Sequence, residues 1–200
     1  MSRIIETPEN GGTARRIEQA ALDLFFERGF PATTMREIGM ACGLTAGALY
    51  NHFASKEYLL ASIIGRVHEE LERMLREALE RAGDDPRARL RELTRTQALF
   101  HTNHTKEARV ANQEVLWLPE PDRSTIIRVR RMTRRWWEDA INDGIAAGIF
   151  TVDNANATVK AILYAGIGIG DWFRTGGPMS AEQVADLHAQ LALRMAGDRS

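Results

Sequence analysis

The 200-residue chain is predicted to be all-α, and three observations predict it. Apolar residues recur at three- and four-residue spacings along most of its length, the period of a helix with one buried stripe. A hydroxyl followed three residues later by Glu or Gln, the capping-box pattern, occurs at Thr34–Glu37 and again at Ser180–Gln183. No Asn-Gly hairpin flanked by alternating strand residues is present. About nine helices are expected.

Residues 1–12 end in Asn10-Gly11-Gly12 and read as a flexible arm. Ile17, Ala20, Ala21, Leu24 and Phe25 then mark one stripe of a helix, which Gly29 and Pro31 end. Thr34 caps a second, short helix that turns Met35, Ile38 and Cys42 inward, and Gly43 supplies the left-handed residue after it. Thr45 caps a third segment, 46–52, and Ser55 caps a long helix running from Lys56 to about Arg81, where Gly83-Asp84-Asp85-Pro86 breaks it. Further helices are expected at about 87–101, 105–118, 122–147, 154–174 and 181–196, separated by Pro119, Pro121, Gly148 and Gly176-Gly177-Pro178. The domain division is therefore an arm at 1–12, a three-helix unit at 13–55 and a larger helical domain at 56–200.

Composition narrows the function classes. Hydrophobic residues at 44% and charged residues at 26% are ordinary for a globular chain, which excludes wholesale disorder. Basic and acidic residues number 26 and 27, so there is no polybasic coat and any anion-binding surface must be local. A single cysteine, Cys42, excludes a disulfide framework within the chain. No apolar run reaches the ~18–20 residues of a spanning helix, and the first residues lack an apolar signal core, so a cytoplasmic protein without a membrane partner is expected.

A helix, a glycine-bearing turn and a second short helix form the helix-turn-helix layout, whose second helix fits the major groove of DNA. Here that second helix turns Leu44, Leu49 and Phe53 inward. Thr45, Ala46, Gly47, Ala48, Tyr50, Asn51 and His52 remain outward, either small enough for close approach or able to bond phosphates and base edges. No acid occurs between Glu37 and Glu57, and Lys56 adds charge beside a helix N-terminus that already favours anions.

These residues resemble a known family. Thr13 through Phe25, Arg28-Gly29-Phe30, Thr33 through Ile38, and the unbroken string Gly43-Leu44-Thr45-Ala46-Gly47-Ala48-Leu49-Tyr50-Asn51-His52-Phe53-Ala54-Ser55-Lys56-Glu57 are similar to the N-terminal domain of tetracycline-repressor (TetR) family transcription regulators. The resemblance implies that Thr34 and Lys56 hold phosphates at two helix N-termini. It implies that Tyr50 and His52 contact phosphates and base methyl groups, and that Thr45, Ala46, Gly47 and Asn51 face the bases. Ala46, Gly47 and Ala48 depart from many members by offering no bidentate side chain, which shifts specificity toward backbone amides, thymine methyls and DNA shape. The resemblance further implies a C-terminal domain that dimerises and encloses an effector, with operator DNA and a second copy of the chain as partners and no cofactor.

Dimerisation also has a physical motive, since one short helix makes few contacts and two half-sites need two copies. The small residues Gly166, Gly168 and Gly170 permit close helix approach, and Leu191 adds apolar surface; the same residues also suit packing within one subunit. All four tryptophans lie between 117 and 172. Trp117, Trp137, Trp172 and Tyr164, with Asn112 and Glu114 as polar groups, are the candidate lining of an apolar effector site, with plain core packing as the alternative for each ring. Trp136 through Gly144, and Trp172-Phe173-Arg174 before Gly176-Gly177-Pro178, loosely resemble the branch of that family that senses acyl-coenzyme A thioesters of lipid or steroid breakdown. The run Arg128, Arg130, Arg131, Arg134 and Arg135 suits either a coenzyme A phosphate or a solvated face with i,i+4 pairs.

Other chemistry fits less well. Gly166-Ile167-Gly168-Ile169-Gly170 lacks the third glycine and the strand of a dinucleotide fingerprint. His101, His104 and Glu107 have ligand-type spacing for a metal, which an exposed helix end explains equally. The expectation is a ligand-responsive DNA-binding regulator, released from a near-palindromic operator by a small hydrophobic effector of the acyl-coenzyme A type. An all-α enzyme acting on a thioester or ester, and a DNA-binding protein without ligand control, are the alternatives.

Overall fold

The computed structural model describes residues 11–198, and every regular element among them is helical. In chain order these are α1 (Gly11–Arg28), α2 (Met35–Ala41), α3 (Ala46–Tyr50), α4 (Lys56–Ala82), α5 (Pro86–Asn103), α6 (Thr105–Gln113), a 3-10 turn (Val115–Trp117), α7 (Asp122–Ala146), α8 (Ala155–Ile167), the single turn α9 (Ile169–Trp172) and α10 (Ala181–Met195). Among the described residues, nine helices of five residues or more, the single turn α9 and the 3-10 turn match the expected all-α architecture.

The capping residues set the starts. Thr34 and Glu37 form both halves of a capping box, as do Ser180 and Gln183, while Thr45, Ser55, Asp85 and Asn154 each accept a bond from a first-turn amide. Three expectations shift. The arm predicted at 1–12 lies outside the described residues except for Gly11 and Gly12, which are already helical. The helix predicted at 105–118 ends at Gln113 and tightens into the 3-10 turn. The helix predicted at 154–174 is broken at Gly168 into α8 and α9. Gly166, Gly168 and Gly170 weaken helix propensity at that point, and the chain bends so that Ile169 can enter the core.

α5 runs through the middle of the larger domain, packed by α4, α7, α8 and α10. One core there joins Leu75, Leu90, Leu93, Trp137, Ile141, Phe150 and Ile162. A second is continuous across the boundary drawn at residue 55. Ile17, Phe25, Ile38 and Leu49 of the three-helix unit pack in one cluster with Leu60 and Ile64 of α4 and with Phe100, Val110, Leu118 and Ile126. The small unit is thus seated on the larger one rather than tethered to it. Cys42 lies in this cluster, buried as expected, with its thiol directed at the Ile38 carbonyl 3.1 Å away.

Candidate nucleic-acid interface

Helix α3 has only five residues, too few to be stable alone, and is held by its cap and its inner face. The Thr45 hydroxyl accepts from Ala48 N at 3.2 Å, Leu49 is fully buried, and Leu44 and Phe53 pack against the shared core. The other face is open. Thr45, Gly47 and Asn51 are exposed, Tyr50 is 53% exposed, and Ala48 and His52 are half-buried. Ala46 opens the helix, and its side chain lies outside the described residues. A Cβ on Gly47 would meet nothing within 4 Å, and its φ is not positive. Packing does not demand glycine at a position where it costs about 1 kcal/mol of helix propensity.

Two groups assigned to phosphates are engaged within the chain. The Thr34 hydroxyl donates to Glu37 Oε2 at 2.7 Å and accepts from Glu37 N at 3.3 Å. Hydrogen bonds from the Thr34 side chain and backbone hold the Glu37 carboxyl below its ordinary range, and Arg28 adds an ion pair at 3.2 Å. Lys56 Nζ donates to the carbonyls of Phe30 at 2.8 Å and Thr33 at 2.7 Å, and lies 4.2 Å from the Phe30 ring centre. Its position at the start of α4 was legible; its grip on the 30–33 turn was not, because it depends on how two helices cross. Arg36, in the first turn of α2, is exposed and is a basic residue that the motif reading passed over.

The six residues assigned to an effector do not share a cavity. Glu114 is buried and accepts the Phe30 amide at 3.2 Å, while Trp117 stacks on the Phe30 ring at 6.0 Å, so both clamp the turn that precedes α2. Asn112 Oδ1 accepts from Arg130 at 3.4 Å. Trp137 is 1% exposed, and its indole N–H donates to Thr94 Oγ1 at 3.1 Å, which makes it a core residue. Tyr164 and Trp172 face outward. Two cavities lie elsewhere among the described residues: an open groove of about 500 Å³ between Thr102-Asn103 and the 175–183 segment, and a hollow of about 90 Å³ lined by Thr94, Ile162, Ala165, His188, Leu191 and Met195. Spacing assigned these residues to helix faces but carried no information about which faces meet.

Of the two uses the sequence allows for the glycine run, packing within the subunit is visible at Gly166 and Gly170. A Cβ on Gly166 would lie 2.5 Å from Gln97 Oε1, and one on Gly170 would lie 3.3 Å from Arg109 Cγ. Both glycines are buried and let α8 and α9 close onto α5 and α6 of the same subunit, while Gly168 marks the break between them. Leu191 is exposed as expected. It lies in a stripe with Leu187 and Met195 on α10, and Tyr164 on α8 is 71% exposed. Of the three residues weighed as metal ligands, His101 is buried and His104 stacks on Phe100 at 4.7 Å.

The three-helix unit is also fastened to α6. Lys106 pairs with Asp23 of α1 at 2.6 Å, and the Arg109 guanidinium lies over the Phe26 ring at 4.8 Å.

Comparison with known proteins gives consistent matches. A family model described as bacterial regulatory proteins, tetR family, matches residues 17–63, and one described as tetracyclin repressor-like, C-terminal domain, matches residues 83–196. The chain is 30% identical over 189 residues to the HTH-type transcriptional repressor KstR2 of Rhodococcus jostii, covering 92% of each sequence. It is similar to the structure of the ketosteroid transcriptional regulator KstR2 of Mycobacterium tuberculosis, with a TM-score of 0.85 at 26% identity, over 95% of this chain and 96% of that one. It is also similar to AibR in complex with isovaleryl coenzyme A and operator DNA, with a TM-score of 0.80 at 26% identity, over 92% of this chain and 98% of that one.

Proposed function

Because the chain belongs to the tetracycline-repressor family of bacterial transcription regulators, we propose that it acts as a homodimeric repressor which leaves a near-palindromic operator when a small apolar effector binds the domain behind the reading head. The observation that carries this reading is the outward face of α3. Its inner side chains are consumed by packing, while Tyr50, Asn51 and the bare backbone at Gly47 face outward and Thr45, which caps the helix, is exposed beside them. Such a face suits a groove in which hydroxyl and amide groups bond phosphates and base edges and a missing side chain allows close approach. Ala46 and Ala48 contribute size rather than hydrogen bonds, and His52 flanks the phosphates. Thr34 and Lys56 act by fixing the helix ends that flank α3 rather than as free ligands.

Five residues of recognition helix cannot secure specific affinity alone, so two copies are needed, one for each half-site. The exposed stripe of Leu187, Leu191 and Met195 on α10 is the apolar surface that a second copy would cover. Effector control acts through the Phe30 turn, which is held from the larger domain by Glu114, Trp117 and Lys56. A ligand that binds one arrangement of this clamp better than another changes the spacing of the two heads by its differential affinity alone. An acyl-coenzyme A thioester is the effector class, supported by the loose resemblance of the Trp136–Gly144 region and by the ligand in the AibR complex.

The test begins with a duplex selected from a random pool by the full-length protein. Tyr50→Ala is expected to weaken binding to it at least tenfold at fixed salt, with helicity and dimer mass unchanged. Undiminished affinity would refute the assignment of α3 as the reading helix. Release of that duplex by isovaleryl coenzyme A or a longer acyl thioester supports the effector class, and its absence across such a panel counts against it.

A further inference from the structure

Arg130, on α7, is set apart from the other arginines of its run. It is partly buried, and it donates from Nε to His68 Nε2 on α4 at 2.9 Å and from Nη2 to the Ala111 carbonyl at 2.8 Å and Asn112 Oδ1 at 3.4 Å at the end of α6. Every one of these acceptors is neutral. His68 Nδ1 lies 2.8 Å from the Ile64 carbonyl and must carry a proton to bond there, which leaves Nε2 as the lone-pair acceptor for Arg130. Burial holds the His68 pKa at about 4, so the ring stays uncharged. Among the described residues no carboxylate stands within ion-pair distance of Arg130, although Arg134 one turn further on pairs with Glu138 at 2.7 Å, and Arg73, Arg76, Arg87 and Arg95 are all paired with acids.

A cation taken out of water without a counter-charge is expensive, and a neutral amide would crosslink the same three acceptors without that cost. The guanidinium is not sealed in. Nη1 makes no hydrogen bond among the described residues, and it is not one of the buried atoms left without a partner, so part of its surface reaches solvent.

We propose that Arg130, held in place by His68, Ala111 and Asn112, is the docking point for the anionic group, carboxylate or phosphate, of the apolar effector. This rests on the reading that an effector binds the larger domain. With Nε and Nη2 engaged, the unengaged Nη1 meets one oxygen of a carboxylate or phosphate, and the neutral tethers fix the guanidinium without competing for its charge. The location also connects binding to release. Arg130 joins α4 to the end of α6, and those two elements hold Phe30 through Lys56 at the start of α4 and Glu114 just after α6. An anion that draws the guanidinium away from Ala111 and Asn112 acts on the backbone three residues from the Phe30 clamp.

The experiment uses the full-length protein and its Arg130→Gln and Arg130→Lys variants, with Arg131→Gln as an exposed neighbouring control. Isovaleryl coenzyme A and decanoate are the anionic probes and decanol is the neutral one, each followed by calorimetric titration. The expected order for the anionic probes is wild type tightest, Lys three- to tenfold weaker through loss of the tethers that orient the cation, and Gln at least thirtyfold weaker. Arg131→Gln should match wild type, and decanol should not discriminate among the four proteins. Equal affinity of wild type and Arg130→Gln for an anionic probe overturns the proposal, as does a decanol response that follows the same order. Should Arg130→Gln fail to fold, the wild type to Lys comparison decides alone, and equality overturns the proposal. If neither anionic probe binds wild type, the acyl effector class fails. Arg130 is then tested with sulfate against chloride at matched ionic strength, and a larger rise in wild-type midpoint than in the variants supports the site, whereas equal rises overturn it.

Discussion

Replacing Lys56 by Met separates two roles for this side chain. Methionine keeps the apolar stem along Phe30 and removes the two bonds to the carbonyls of Phe30 and Thr33 at 2.8 and 2.7 Å, together with the contact of the ammonium with the ring at 4.2 Å. Hydrogen bonds that involve a charged group contribute about 1.5–3 kcal/mol each, the cation–π contact about 0.5–1 kcal/mol, and partial exposure puts this case at the lower end. A loss of about 3 kcal/mol follows, which for a chain of this size lowers Tm by roughly 6–12 °C. The 30–33 turn would loosen and α3 would lose its fixed approach, so operator affinity should fall about tenfold. The informative measurement is the salt series. A lost direct phosphate contact reduces the slope of log K against log salt by about 0.9 per contact, hence about 1.8 for a dimer. The geometry here predicts weaker binding with an unchanged slope. An unchanged Tm together with a slope reduced by nearly 2 would show that Lys56 is a free phosphate ligand and that its bonds to the turn contribute nothing.

Three further outcomes follow from the same structure. Trp137→Phe removes the indole bond to Thr94 in a fully buried site and should cost about 1–3 kcal/mol in urea denaturation, while operator affinity of the folded fraction stays within twofold. His68 and His101 both have pKa values lowered to about 4, chiefly by burial, and His101 is 4% exposed with neither ring nitrogen bonded. With folded values below the ~6.5 of an unfolded chain, their contribution is complete above pH 6.5 and is lost as pH falls toward 4, by about 2 kcal/mol each at pH 5; a denaturation midpoint that does not move between pH 7 and pH 5 contradicts this. Leu191→Glu places a charge in the exposed stripe of α10 and should halve the mass measured by light scattering while circular dichroism is unchanged, whereas an intact dimer would move the interface elsewhere.

Local rules were enough for the framework. The capping residues Thr34, Thr45, Ser55 and Ser180 begin their helices where the sequence places them, because a cap bonds to amides within its own first turn. The inward set of α3 was equally legible, since Leu49 is separated from polar neighbours by helical spacing alone. Pairing between distant segments was not legible. Glu114 and Trp117 were read as effector contacts, yet they meet Phe30, more than eighty residues earlier in the chain. Gly166 and Gly170 suit a dimer surface or packing within one subunit equally by spacing, and only the approach of Gln97 and Arg109 of the same subunit identifies their neighbours. Arg130 was one of five similar arginines, and only the approach of His68 and the end of α6 distinguishes it.

The cluster that joins Ile17, Phe25 and Leu49 to Phe100, Val110, Leu118 and Ile126 bears on how such a regulator is re-engineered. Fusing residues 1–55 to the hind part of a relative would set two mismatched halves of one hydrophobic socket against each other. The product should aggregate or ignore its inducer. A graft that also carries the 104–118 segment brings the matching half with it, so new DNA specificity and inducibility are best transplanted as one cassette.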